Sequence, residues 1–210
     1  MSFLFGGSSN VKEYQRYRNA GRELNQKMIE TYIDNSVLEK ASRLLKLGKN
    51  RQLILDTKDD LSVLMDFALY EIRQNGKNII ERYADEKGGK NFVERELLSA
   101  MAKANAGLFK IDSVDKNKCC LQLSNLIDVG QTIVLTDINF SQTIPTGLFI
   151  YFRPIQFSKM AMTSGIAFIF PQDLEPELIT AWHKFETNKL QRYAWFFKRS
   201  KNTGFDTTYV

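Results

Sequence analysis

The residues best able to do chemistry in this chain are few: one histidine, His183, and two cysteines, Cys119 and Cys120. His183 is the only side chain whose ordinary pKa lies near neutrality. A nucleophilic triad would need it beside a serine or cysteine and a third, orienting group. No Gly-x-Ser-x-Gly elbow is present. Helical periodicity accounts for His183 as a surface or boundary residue beside Trp182. Cys119 and Cys120 are adjacent in an expected strand, so their side chains point to opposite faces. A disulfide between them needs a distorted peptide, and a zinc site needs more ligands. The reading is two small hydrophobes, with no disulfide, no metal and no cofactor.

Gly88-Gly89-Lys90 has the residue types of a phosphate loop. A P-loop, however, follows a strand and sets Lys before Ser or Thr at the start of a helix. Here a helical pattern precedes the glycines and Asn91 follows the lysine, so an interhelical turn is expected. Asp59-Asp60 and Asp85-Glu86 are carboxylate pairs that would bind a hard cation or run acid–base chemistry only with a third carboxylate converging on them. Asp59-Asp60 is accounted for by the dipole of a helix that it opens. Asp85-Glu86 reads as a solvated helix end.

Two features point to binding. Near the C-terminus Lys184, Lys189, Arg192, Lys198, Arg199 and Lys201 face a single acid, Glu186, and are interleaved with Tyr193, Trp195, Phe196 and Phe197. Helical spacing sets Lys189, Arg192, Phe196 and Arg199 on one side. Tyr151 and Arg153 share one face of an expected strand. Together Lys189, Arg192, Trp195, Phe196, Lys198, Arg199, Tyr151 and Arg153 form a candidate surface for RNA or DNA. The plainer reading docks the aromatics on the sheet. The near-continuous apolar runs Leu148–Phe152 and Ile166–Phe170 favour strands covered on both faces. The second feature is the first helix, whose Tyr14, Tyr17 and Tyr32 either pack on their own domain or meet a protein partner or a second copy of the chain.

The leading expectation is therefore a non-catalytic binding or regulatory protein acting through protein–protein contacts. The alternatives are nucleic-acid binding and an enzyme built on carboxylates. With 29 Lys and Arg against 24 Asp and Glu the net charge is +5, which permits a polyanionic partner without requiring one. No apolar run reaches the roughly 18–20 residues of a membrane span. Met1-Ser2-Phe3-Leu4-Phe5 lacks the basic and long apolar segments of a signal peptide, so the expected location is cytoplasmic.

The elements that must position these residues give an α+β expectation, with 10–107 helical, 108–171 an antiparallel β-meander or small β-barrel, and 172–200 a C-terminal helical segment packed back on it. Residues 1–9 and 202–210 read as flexible tails, and the whole as one continuous unit. Asn10 with Glu13, Ser36 with Glu39, and Asn91 with Glu94 have capping-box spacing. Gly48 and Gly107 read as helix stops. Alanines at 100, 102, 104 and 106 make the fifth helix thin enough for the core. Leu108–Val114 alternates apolar and polar, Asp115-Lys116-Asn117 is a turn, and Lys118–Leu123 returns. Gln131–Thr136 and Gly147–Arg153 follow, the latter stopped by Pro154. Ser158–Phe170 holds one strand, or two meeting at Ser164-Gly165.

Overall fold

In the computed structural model, which describes residues 7–49, 52–55, 57–203 and 208–209, the chain is α+β, with helices first, then strands, then two closing helices. The first helix, α1 (Gly7–Tyr32), starts earlier than the sequence suggests, so Asn10 lies within it rather than capping it. Its stripe Tyr14, Tyr17, Leu24, Met28 and Tyr32 is buried, and it packs mainly on α5 (Phe92–Lys103). α2 (Asn35–Leu45) is capped by Asp34 rather than Ser36. It ends on left-handed Lys46, two residues before Gly48. A two-residue hairpin of β1 (Gly48–Lys49) and β2 (Gln52–Leu53) follows. Of the expected tails, residues 1–6, 204–207 and 210 lie outside the described residues.

α3 (Lys58–Tyr70) and α4 (Ile79–Glu86) are capped by Thr57 and Asn78, the latter in a full capping box with Glu81. Between α4 and α5 the Gly88-Gly89-Lys90 turn is closed from inside. Gly88 takes φ +61, and a Cβ on Gly89 would stand 2.4 Å from the Arg95 backbone nitrogen. The start of α5 is capped by Asn91, as the spacing predicts. The Glu94 carboxylate accepts the Lys90 N–H at 2.8 Å. That hydrogen bond, against the opposing effect of burial, holds Glu94 below the usual carboxylate range. A carboxylate of the chain thus occupies the place a phosphate would take. α5 ends at Ala104, and Gly107 begins the first long strand instead of stopping the helix.

Five strands make the main sheet: β3 (Gly107–Asp115), β4 (Cys120–Asn125), β5 (Thr132–Thr136), β6 (Phe149–Gln156) and β7 (Ala161–Phe170). Cys119 belongs to the β3–β4 turn, at φ +53, so the two cysteines do not alternate within a strand. The order is not a simple meander. β6 returns across the sheet to pair with β3, and β5 meets β7 in a parallel bridge at Leu135↔Ala161. Counted within the sheet, the order is 1-2-3-5-4 with the first strand paired to the fourth, the connectivity of a partly open OB-type barrel. A register shift between Ile111 and Ser113 bends β3 between its two partners. β6 runs through Pro154 rather than stopping there. The ladder slips between Phe152 and Pro154, which frees the position from donating. β8 (Thr208–Tyr209) adds to the outer edge of β7, so this part of the expected tail is paired.

The sheet divides the apolar residues into two cores. Ile111, Leu121, Leu123, Leu135, Ile150 and Phe152 fill the interior. The interior is plugged by Phe140 of α6 (Ile138–Thr143), a six-residue helix with no counterpart in the sequence reading. Phe149, Tyr151, Ile155, Phe168 and Phe170 face outward into the helices. α7 (Glu175–Lys184) and α8 (Lys189–Ser200) close this side, with Phe196 stacked on Tyr151 at 4.2 Å.

Candidate functional site

β6 and α8 each bury an arginine in this outer core. Alternation along β6 carries Tyr151 and Arg153 to the helix side, where they are 2% and 4% exposed. Arg153 has its charge compensated, although its Nε lacks a partner: Nη2 donates to Glu71 Oε1 at 2.6 Å and lies 3.9 Å from Asp66, and the guanidinium sits 4.2 Å over the Tyr70 ring. Asp66 in turn accepts from Ser164 Oγ at 2.8 Å and Tyr193 OH at 3.0 Å. Burial raises the Asp66 pKa despite the pull of Arg153 and these donors. Burial also pushes the Tyr151 phenol well up, against Arg153 and Arg192. This cluster is inaccessible to a polyanion, which removes Tyr151 and Arg153 from the candidate surface.

Arg192 is different. It is 6% exposed, and its guanidinium lies 3.9 Å from the Trp182 ring centroid. It also makes a long hydrogen bond from Nη1 to the Glu186 carbonyl at 3.4 Å and interacts with the Tyr151 hydroxyl. Nε is buried with no partner. Among the described residues no carboxylate lies within salt-bridge distance of it.

Arg192 lines a cavity of 710 Å³ between α8, the end of α5 and the β4–β5 edge of the barrel. Two more cations reach it, Lys103 from α5 and Lys189 from the first turn of α8. Lys189 Nζ donates to Asn105 Oδ1 at 2.6 Å, which ties α8 to the α5–β3 connection. Asn125, Gln131, Thr132 and Gln156 supply neutral donors and acceptors, and Asp128 is the one acid on the wall. Asp128 already accepts from Asn125 Nδ2 at 3.3 Å.

The chain belongs to a family. Residues 8–210 match a family of unknown function (DUF7986). No curated protein and no solved structure matches the chain.

Of the eight residues expected on a nucleic-acid surface, Lys189 and Arg192 meet in this cavity. Phe196 is wholly buried against Tyr151, and Trp195 leans edge-on against Phe196 at 5.1 Å. Arg199 is held by both oxygens of Glu177, at 2.9 and 3.1 Å. Lys198 is exposed and takes no part. The three tyrosines expected at an interface are buried in their own chain. Tyr14 donates to Asp137 at 3.0 Å, Tyr17 to Glu96, and Tyr32 to Glu86 at 2.6 Å. Burial and its Glu86 bond push Tyr32 up to about 12.

The carboxylate pairs are dispersed. Asp60 pairs with Lys201 at 3.0 Å and Asp85 with Lys77 at 2.6 Å. Among the described residues no group of three His, Cys, Asp or Glu is arranged to hold a metal. Both cysteines are free, His183 is exposed, and no described helix is long and apolar enough to cross a membrane. Sequence reasoning missed Lys103, Asn105, Asn125 and Gln131. None carries a local signal, because each matters only through the fold that brings it to α8.

Proposed function

We propose that this protein is a binding protein for nucleotide phosphates, free or within a single strand, and that the cavity beside Arg192 is where it holds them. The observation that carries the reading is a buried guanidinium with no carboxylate among the described residues to answer it. A buried charge costs several kcal/mol unless it is paired, and a phosphate oxygen on the open Nε–H would pair it with a charge-assisted bond. Lys103 and Lys189 add long-range attraction, and the surrounding amides have the donors and acceptors that base edges and sugars use.

Protein contacts through the first helix are less favoured, because the hydroxyls of Tyr14, Tyr17 and Tyr32 bond within the chain. The ligand held in this way is short. The outer face of β4 and β5 presents half-buried Gln122 and Ser124 and exposed Thr132 and Val134, with no ring on which successive bases would stack.

The test is fluorescence anisotropy with a labelled oligouridylate, competed by UMP and by inorganic phosphate, across a salt series. Binding should weaken with salt by about 0.7 log units of affinity per log unit of salt for each phosphate held. Lys103→Glu with Lys189→Glu, both on the surface, should lower affinity by more than about tenfold without loss of fold. Competition by UMP would place the site on a single nucleotide, and its failure would place it on the strand. A wild-type protein that binds none of the three at low salt overturns the proposal.

A further inference from the structure

A second cavity, of 640 Å³, lies between α1, α3 and β7 and shares no lining residue with the first. Three buried polar atoms without partners belong to residues on its wall: Arg18 Nε, Asn25 Oδ1 and Tyr70 OH. Arg18 is otherwise fixed. Nη1 and Nη2 donate to the Thr163 carbonyl and hydroxyl, each at 3.0 Å, and Asp137 lies 3.6 Å from Nη2. Tyr70 is held by the Arg153 guanidinium over its ring. Arg18, Arg22 and Asn25 fall at one-turn steps along α1. Arg22 is exposed, with no carboxylate within salt-bridge distance among the described residues. Opposite, β7 is buried throughout except at Ser164 and Gly165, which open onto the cavity. Gly165 takes φ +128, and a Cβ there would meet nothing within 4 Å. The remaining wall is apolar and adaptable, with Met65, Met101 and Met162 among its side chains.

We infer that this cavity is a second ligand site, and that it takes a small organic oxyanion with a flexible aliphatic body. The head oxygens accept from Arg18 Nε–H and the Tyr70 hydroxyl, and Asn25 presents either end of its amide to the ligand. Arg22 supplies the uncompensated charge at the rim. Asp66, also on the wall, has its charge offset by Arg153 at 3.9 Å and both of its oxygens bonded by Ser164 and Tyr193. The aliphatic body lies against the methionines. Water alone satisfies the polar end but not the methionine side, where it lacks partners.

Thermal unfolding of the full chain with octanoate, octyl phosphate, 1-octanol and inorganic phosphate tests this, with native mass spectrometry to count bound molecules. At least one octyl anion should raise the midpoint by several degrees and bind one-to-one, and octanol and phosphate should do neither. The better of the two anions identifies the head as carboxylate or phosphate. Arg22→Ala should weaken binding about tenfold, as expected for loss of one charged contact. Tyr70→Phe should weaken binding and raise the unliganded midpoint, because it removes a hydroxyl that lacks a partner. No shift with either anion, or an equal shift with octanol, overturns the inference. The Lys103→Glu, Lys189→Glu protein should keep the octyl-anion response, so failure at the first cavity leaves this result standing.

Discussion

Arg153 and Arg192 are two arginines buried to nearly the same degree in one outer core, 4% and 6% exposed. Both lie on aromatic rings, Tyr70 and Trp182. They differ in what answers the charge. Around Arg153 two acids and a carbonyl take up the guanidinium, at 2.6 Å from Glu71, 3.9 Å from Asp66 and 3.4 Å from Ala104. Around Arg192 there are a long bond to a carbonyl, the neutral Tyr151 hydroxyl and a cavity, but no acid. Burial and aromatic contact therefore do not separate the two arginines, whereas charge compensation does. The first charge is compensated as the chain folds, and the second is the one that the proposed anion would pair.

The largest effect that distinguishes them is on stability. Arg153→Met should lower unfolding free energy by about 3–5 kcal/mol, because it strands Glu71 and Asp66 as buried acids beside one another. Urea unfolding measures this directly. A loss below about 1 kcal/mol, the level of an exposed ion pair, would show that the Arg153 cluster is not the closed network its distances describe.

A smaller effect lies in the pH dependence. Burial raises the Asp66 pKa in the folded chain above its ordinary value of 3.8. The folded state then binds the proton more readily than the unfolded state. The Asp66 contribution is most favourable below the ordinary carboxylate pKa, and it declines as pH rises from there through the raised value. Asp137, raised by the same cause, acts in the same direction. Glu94, lowered chiefly by the Lys90 N–H, acts oppositely, and its contribution is lost as pH falls through its depressed value. The profile of wild type minus Asp66→Asn removes the two terms common to both proteins. It should fall with rising pH across the range above the ordinary carboxylate pKa, and a flat or rising difference would mean that Arg153 and the two hydroxyls outweigh burial.

Much of the architecture was legible in the sequence because it rests on local rules. Asn91 caps its helix where the spacing places it, and β3 alternates buried and exposed residues from Phe109 to Asp112. The apolar runs of β6 and β7 announced burial on both faces, and the barrel interior and the helices supply it. Elsewhere the structure departs from the local rules. Asn10 is a good cap, but α1 continues through it. Pro154 ends a strand by rule, yet a slipped register accommodates it. The six-residue α6 is too short to show a period, and is held by Asp137, whose other partners are Tyr14 and Arg18 on α1. The sites were less legible still. Lys189 meets Asn105 across 84 residues, and no spacing rule connects them. Periodicity placed Arg192 and Arg199 on one side of α8, but only the fold gives Glu177 to Arg199 and nothing comparable to Arg192.

The smallest expected change in stability is the most telling for the comparison. Arg192→Met keeps an unbranched stem of similar shape against Trp182 and removes a charge that has no acid to miss it. Loss of the cation–π contact costs about 0.5–2 kcal/mol. Relief of an unpartnered buried donor returns about 1–3 kcal/mol. The two nearly cancel, so urea unfolding of this variant should stay within about 1 kcal/mol of wild type, while its affinity for oligouridylate or UMP falls more than about tenfold. A variant destabilised as much as Arg153→Met would make Arg192 a second structural arginine and remove the distinction between the regions. A variant that folds as wild type and still binds would keep the distinction but move the anion's anchor to Lys103 and Lys189, at the mouth of the same cavity.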